Sequence, residues 1–89
     1  MKKRNTEKYY LDWNGILLQI VYEPLWLPAH VVGQDLAYLH VRSIYPTDAP
    51  LPIAKNGHYA DYPSCSSIAA AGGPVNYVDV MLAAEDAPR

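Results

Sequence analysis

The pair Asn14-Gly15 is the feature that most constrains what this chain can fold into. Asn-Gly tolerates positive φ at both central positions of a type I′ turn, and strand-forming apolar residues flank it on both sides. We therefore predict a two-residue β-hairpin from Tyr9 to Tyr22. Because side chains alternate along a strand, one apolar face of this hairpin should carry Tyr9, Leu11, Trp13, Ile16, Leu18 and Ile20. The other face is mixed, which is typical of a sheet covered on one side.

A third strand is predicted from Leu36 to Tyr45, where small or apolar residues alternate with larger and more polar ones. The residues predicted to face the core are Ala37, Leu39, Val41 and Ser43. A second Asn-Gly pair, Asn56-Gly57, predicts a shorter hairpin that joins residues 51–54 to residues 59–62.

The C-terminal segment predicts a helix that begins at Pro74, because proline is favoured in the first helical turn. Val75, Val78 and Leu82 recur at helical spacing, and they predict an amphipathic helix of about three turns. Residues 64–71 could add a single helical turn before it. The predicted fold is α+β: a small antiparallel meander of roughly three to five strands, covered on one face by the C-terminal helix.

Length and charge limit the domain organisation. Eighty-nine residues suffice for one small domain, predicted at residues 9–89 after a basic flexible arm at residues 1–8. A domain of this size has a thin stability margin, which leaves a homodimer open. The arm holds one acidic and four basic side chains, and the remaining chain holds eight acidic and three basic ones. The acidic body disfavours a phosphate backbone as the main ligand, so direct nucleic-acid contact through Lys2, Lys3, Arg4 and Lys8 is left as a weaker alternative.

Few residues of this chain suit catalysis or metal binding. The single cysteine, Cys65, permits no intramolecular disulfide and favours a reducing cytoplasm. His30, His40 and His58 lack the close spacing of zinc ligands, and no nucleophile–base arrangement can be named. No apolar run has the length of a membrane span, and the start does not resemble a signal peptide. We therefore expect a cytoplasmic protein that is not an enzyme and uses no cofactor or metal.

Two segments are candidate partner-binding sites. Leu25, Trp26 and Leu27 lie between Pro24 and Pro28, which are predicted to end the second strand and to hold a loop. A Trp in such a loop indicates either a partner or a ring that folds back onto an end of the core, and both interpretations stay open. The second candidate is the tip of the second hairpin with its neighbours, which brings in the side chains of His58, Tyr59, Asp61 and Tyr62.

Short motifs of this chain resemble a known family. Pro50-Leu51-Pro52-Ile53 with Gly57, and Ala70-Ala71-Gly72-Gly73-Pro74, match motifs of small uncharacterised proteobacterial proteins that often occur on plasmids and other mobile elements. Leu39-His40-Val41 is similar to the third-strand pattern of that family. The chain departs from it over the rest of residues 54–61, where the family is most polar. The resemblance implies a shared fold and a mobile-element setting, and it implies no reaction.

Two functional hypotheses follow. The first is a non-enzymatic binding protein that inhibits a host nucleic-acid-handling or defence complex through protein–protein contact, in the manner of an anti-CRISPR protein. An acidic body with eight tyrosines can present carboxylates where such a complex expects phosphates. The alternative is a nucleic-acid accessory factor that uses the basic arm and the outward side chains of Tyr38, His40 and Arg42.

Overall fold

The structure, a computed structural model, describes residues 6–27, 33 and 35–86, except the side chains of Leu25 and Leu27. Predictions made for Lys2, Lys3, Arg4, Pro28 and His30 therefore lie outside the described residues. Within them, four antiparallel strands form one sheet in chain order, and two helices follow. The elements are β1 (Glu7–Trp13), β2 (Ile16–Leu27), β3 (Leu36–Tyr45), β4 (His58–Asp61), α1 (Cys65–Ala71) and α2 (Pro74–Asp86). This is the predicted α+β meander.

The first hairpin has the predicted turn and register. Asn14 and Gly15 adopt φ values of 49° and 79°, in the left-handed region that a type I′ turn requires. The strand pairs counted outward from the turn are Trp13–Ile16, Leu11–Leu18 and Tyr9–Ile20, as predicted. β1 begins at Glu7, opposite Tyr22, so the last two residues assigned to the flexible arm belong to the sheet.

The prediction that Pro24 ends the second strand is wrong. β2 continues through this proline to Leu27, which pairs with Leu36 of β3. The register shifts between the Glu23–Tyr38 pair and that last pair. Such an irregularity is where a strand admits a proline, because proline has no N–H to donate to a regular ladder. The segment predicted as a loop is therefore the end of a long strand.

β3 has its predicted bounds, and its inward side is closed to solvent. The residues of β3 with no exposed surface are Ala37, Leu39, Val41 and Ser43, the four predicted to face the core. Alternation along a strand explains both this burial and the outward position of the residues between them.

The second predicted hairpin is wrong. β4 pairs with β3, from Arg42–His58 to Leu39–Asp61, and not with residues 51–54. Leu51 and Ala54 instead close a tight turn of their own through two backbone hydrogen bonds of 2.9 and 3.1 Å. Since Pro52 lacks an N–H, this short segment is a poor ladder partner for β4, whereas the free edge of β3 offers a complete one.

One hydrophobic core lies between the sheet and α2. Its fully or almost fully buried members are Leu18, Ile20, Leu39, Val41, Leu51, Val78 and Leu82. Burial of each such side chain contributes roughly 1.5–3 kcal/mol before the entropic cost of ordering it, so this layer contact is the main source of stability. The face of the first hairpin that the sequence marked as apolar is the face that α2 covers.

The two helices have clear ends. α1 is seven residues long, two turns rather than the single turn predicted. The Ser64 hydroxyl caps it by accepting a hydrogen bond from the backbone N–H of Ser67, and Gly72 ends it in the left-handed conformation. α2 begins at Pro74 as predicted, and it buries Val78 and Leu82.

Candidate partner-binding face

The sheet has a face opposite the core, which we call the open face. Because Leu39 and Val41 of β3 point into the core, the residues that alternate with them point to the other side. On β3 these are Tyr38, His40 and Arg42. Strand pairing extends the open face with Lys8, Tyr10 and Asp12 of β1, Leu17, Gln19, Val21 and Glu23 of β2, and His58 and Ala60 of β4.

Three rings from three parts of the chain pack together at one end of the open face, and we call them the aromatic cluster. Trp26 lies 5.4 Å from Tyr38 and 6.2 Å from Tyr62 between ring centroids, and the two tyrosines lie 5.5 Å apart. All three pairs are tilted, a favourable geometry for aromatic contacts. Tyr62 is half exposed. The extension of β2 beyond Pro24 places Trp26 there, so the sequence candidates Trp26 and Tyr62 lie in one surface.

Two histidines lie on the same face, next to the aromatic cluster along β3 and β4. The ring centroids of His40 and His58 are 6.0 Å apart, and Nε2 of His58 lies 2.6 Å from Oδ1 of Asp48. Burial lowers the pKa of His40, and the charges of His58 and Arg42 lower it further. His40 is therefore neutral at physiological pH and can act as a hydrogen-bonding group.

The charge on the open face is close to balanced. Its basic side chains are Lys8 and Arg42, and its acidic ones are Asp12 and Glu23, with Asp48 held at the rim by His58. Glu23 is buried and accepts a hydrogen bond from the Thr6 hydroxyl at 3.4 Å. A face that binds phosphates carries a clear excess of Lys and Arg, and this face does not.

The second candidate segment predicted from the sequence has side chains on both sides of β4. His58 is on the open face, whereas Tyr59 and Asp61 pair with inward residues of β3 and lie on the core side. The Tyr59 hydroxyl donates a hydrogen bond of 3.0 Å to Oδ2 of Asp61. Burial and that hydrogen bond raise the pKa of Tyr59 to about 12. Tyr59 packs against the core, so these four candidates do not form one surface.

The remaining observations on the described residues concern metal ligands, Cys65 and the length of the helices. No three His, Cys, Asp or Glu side chains there come close enough together to hold a metal ion. Cys65 is partly exposed, and its backbone N–H donates to the carbonyl of Asp35 at 2.9 Å. Neither helix in residues 35–86 is long and apolar enough to cross a membrane.

The fold and the open face together define the class: a two-layer α+β domain with an aromatic cluster on the uncovered side of its sheet. Residues 6–89 match the family model of the KlcB third domain, so the chain belongs to that family. Neither a curated protein nor a solved structure matches it.

Proposed function

We propose that this chain is a non-enzymatic binding domain that acts through protein–protein contact, with the end of the open face that carries the aromatic cluster as its docking surface. The observation that carries this proposal is the aromatic cluster of Trp26, Tyr38 and Tyr62 on an uncovered sheet. Membership in the KlcB third-domain family supports a setting on a plasmid or another mobile element. In that setting, the function that fits best is inhibition of a host nucleic-acid-handling or defence complex, as an anti-CRISPR protein does.

The physical argument concerns what an uncovered sheet face normally carries. A solvated face is usually polar, but this one presents tyrosine and tryptophan rings. These residue types dominate binding hot spots because they bury a large area and lose few rotamers on binding. Contacts among the three rings hold them in place before a partner arrives, which lowers the entropic cost of association. The balanced charge of the face suits a protein partner better than a phosphate backbone.

The test is an affinity pull-down from bacterial lysate, with and without nuclease, read by mass spectrometry. We expect Tyr62→Ala to weaken recovery of a nuclease-resistant partner by about tenfold, which is typical of a hot-spot residue. Tyr10→Ala is the matched control, because Tyr10 is 56% exposed, close to the 50% of Tyr62, and lies on β1 away from the aromatic cluster. Equal recovery with both variants, at unchanged thermal stability, would contradict the proposal.

The alternative function, a nucleic-acid accessory factor, draws on one observation. The aromatic cluster could stack on unpaired bases, and Arg42 lies on the same face with His40. A single-stranded oligonucleotide should then bind at low salt, with an affinity that falls steeply as salt rises. Deleting residues 2–5, which leaves β1 whole, should flatten that salt dependence. Absence of binding at low salt would remove this alternative.

A further inference from the structure

β1 forms one edge of the sheet, and its backbone is regular along the whole strand. Among the described residues it pairs only with β2, and its seven residues keep one register from Glu7 to Trp13. Edge strands are usually protected by proline, by a bulge, by short length or by charged side chains. β1 has only the last of these, whereas β4 at the other edge has four residues and is soon followed by Pro63. The edge of β1 is therefore where a further strand can join this sheet.

The hairpin turn determines which backbone groups of β1 point outward. The type I′ turn makes Trp13 and Ile16 a hydrogen-bonded pair, and such pairs alternate along an antiparallel ladder. Every second residue of β1, counted from Trp13, therefore bonds to β2. The residues between them direct their N–H and C=O groups away from β2, and they are Lys8, Tyr10 and Asp12. A strand that pairs with β1 must place its own hydrogen-bonding residues opposite these three.

Two copies of β1 meet this requirement when a twofold axis passes through Tyr10. An antiparallel pair centred there sets Tyr10 opposite its counterpart, and Lys8 of each copy opposite Asp12 of the other. All three outward residues then form hydrogen-bonded pairs, and all seven residues of the strand take part. A shift of two residues in either direction keeps the hydrogen-bonding pattern, but it shortens the overlap and separates Lys8 from Asp12.

The charges of Lys8 and Asp12 are complementary in the register centred on Tyr10. Both side chains are exposed on the open face, and within the chain they lie opposite the uncharged Val21 and Leu17 of β2. In the twofold pair, each lies directly across from the opposite charge of the second copy. Opposite charges in this position stabilise an antiparallel pair, and like charges destabilise it. The side chains that make this edge less suitable for other strands thus favour a second copy of the same strand.

The core side of β1 brings apolar residues together in the same register. Tyr9, Leu11 and Trp13 are partly buried and pack against the core, so part of each remains exposed at the edge of the hydrophobic layer. Tyr9 of one copy lies opposite Leu11 of the other, and Trp13 lies opposite Glu7. The Glu7 carboxylate already accepts a hydrogen bond from the Tyr9 hydroxyl of its own chain. The apolar layer therefore continues from one copy into the next.

We propose that β1 is a dimerisation edge, which pairs antiparallel with β1 of a second copy about an axis at Tyr10 and joins two four-stranded sheets into one. A single strand pair is a small interface, so we expect a dissociation constant of roughly 1–100 µM. The aromatic cluster stays uncovered in both copies, because Tyr38 and Tyr62 belong to the other half of the sheet. The proposal does not depend on the function of that cluster.

The first test is sedimentation equilibrium of the intact chain from about 1 µM to about 1 mM, where we expect a monomer–dimer equilibrium. Lys8→Asp should weaken dimerisation by about tenfold or more, because it sets acidic side chains opposite each other at two places. Asp12→Lys should weaken it as strongly. An equimolar mixture of the two variants should form a heterodimer, since each supplies the charge that the other lacks. Lys55→Asp makes the same change of charge at an exposed position outside the sheet, and it should leave dimerisation unchanged.

Amide hydrogen exchange tests the register without any substitution. The N–H groups of Lys8, Tyr10 and Asp12 donate across the axis in the dimer, so their protection should rise with protein concentration. The N–H groups of Tyr9 and Leu11 donate to β2 and should be protected at every concentration.

Four results would overturn the proposal. They are a chain that stays monomeric at about 1 mM, a dimer that both charge variants leave intact, a mixture of these variants that stays monomeric, and a dimer whose three outward amides exchange freely. If the chain is monomeric and those amides become protected only in a complex with another protein, the occupant of the edge is a strand of that protein and not a second copy.

Discussion

The two Asn-Gly pairs of this chain look alike in sequence and do different things in the fold. Asn14-Gly15 closes the turn between β1 and β2, and space is open around Gly15. Gly57 has almost the same φ, 78° against 79°, but it precedes a strand and is packed against the backbone of Asp48 and Ala49. The same dipeptide forms a hairpin turn at residues 14–15, whereas at residues 56–57 its glycine packs tightly against a neighbouring backbone segment.

The difference shows that the Asn-Gly pair fixes a positive φ at its glycine and leaves both the turn type and the strand pairing to the surroundings. Both glycines adopt positive φ, as the motif predicts. At the second site, the Ser43 N–H donates to the carbonyl of Gly57 at 2.9 Å, and the Asp48 N–H donates to the carbonyl of Ser43 at 3.1 Å. These bonds tie the second Asn-Gly segment to β3, and only the positive φ of the glycine is shared with the first site, since Asn14 has a positive φ and Asn56 does not.

The largest expected effect comes from substitution of Gly57. A Cβ on Gly57 would lie 2.7 Å from the carbonyl carbon of Asp48 and 2.9 Å from the carbonyl oxygen of Ala49. Gly57→Ala should therefore lower the free energy of unfolding by about 3 kcal/mol or more, from overpacking added to backbone strain. Gly15→Ala is the control, with only the strain, and should lose about 1 kcal/mol. Denaturant melts compare them, and equal losses would mean that the two sites do not differ as described.

Removal of the Ser43 hydroxyl should have the next largest effect. Ser43 is fully buried, and its Oγ donates a hydrogen bond of 2.7 Å to the carbonyl of Ala49. Ser43→Ala should lower the free energy of unfolding by about 1–3 kcal/mol, because that carbonyl loses its partner. Hydrogen exchange should quicken around Asp48 before the first hairpin responds. Ser66→Ala, which removes an exposed hydroxyl from α1, should have little effect, and a similar loss in both variants would refute this role.

Acid should destabilise the region around His40, on β3 and β4, more than the first hairpin, because residues 9–22 contain no histidine. The pKa of His40 in the folded protein is lowered from 6.5, so the unfolded chain takes up the proton first as the pH falls. The stability due to neutral His40 is present above pH 6.5 and is lost as the pH falls through its lowered pKa. We expect faster hydrogen exchange in β3 and β4 on acidification, and a smaller change in His40→Gln. An unchanged acid response in that variant would assign the effect to other groups.

The smallest effect is expected from the contact between the His58 ring and the Asp48 carboxylate. Their side chains are 39% and 55% exposed, so solvent screens the 2.6 Å contact. Asp48→Asn keeps a residue type that tolerates the φ of 57° at this position. It should lower the free energy of unfolding by about 0–1 kcal/mol in thermal melts. A loss as large as that of Gly57→Ala would mean that the contact between His58 and Asp48, rather than the close backbone contact, holds this segment.

The sequence was sufficient for the parts of the fold that local chemistry determines. The Asn14-Gly15 turn sets the register of the first hairpin, and alternation marks which side of β3 is buried. Pro74 marks the start of α2. Two errors have a common cause, since both the continuation of β2 through Pro24 and the pairing of β4 depend on what the neighbouring strand offers. The residues close to Pro24 and to β4 in sequence carry no information about the strand that lies beside them in the fold.

The candidate site was predictable only in part. Trp26 and Tyr62 were candidates from composition and position, and Tyr38 was expected to face outward on β3. The contact among these three rings depends on the extension of β2 beyond Pro24, which the sequence did not predict. The three residues therefore belonged to separate hypotheses. Tyr59 and Asp61 were also candidates, but because side chains alternate along β4, both lie on the core side of the sheet. Leu25 and Leu27 were also candidates, and their side chains lie outside the described residues.

The strand order β1-β2-β3-β4 has a consequence for how the chain folds. Each strand pairs only with neighbours in the chain, so every pairing closes a short loop at low entropic cost. A growing chain can therefore assemble the sheet strand by strand as it leaves the ribosome, starting from the first hairpin. The apolar side of that sheet stays bare until α2, which follows all four strands, has been made. The exposure of this domain to chaperones and to aggregation is thus greatest just before α2 leaves the ribosome.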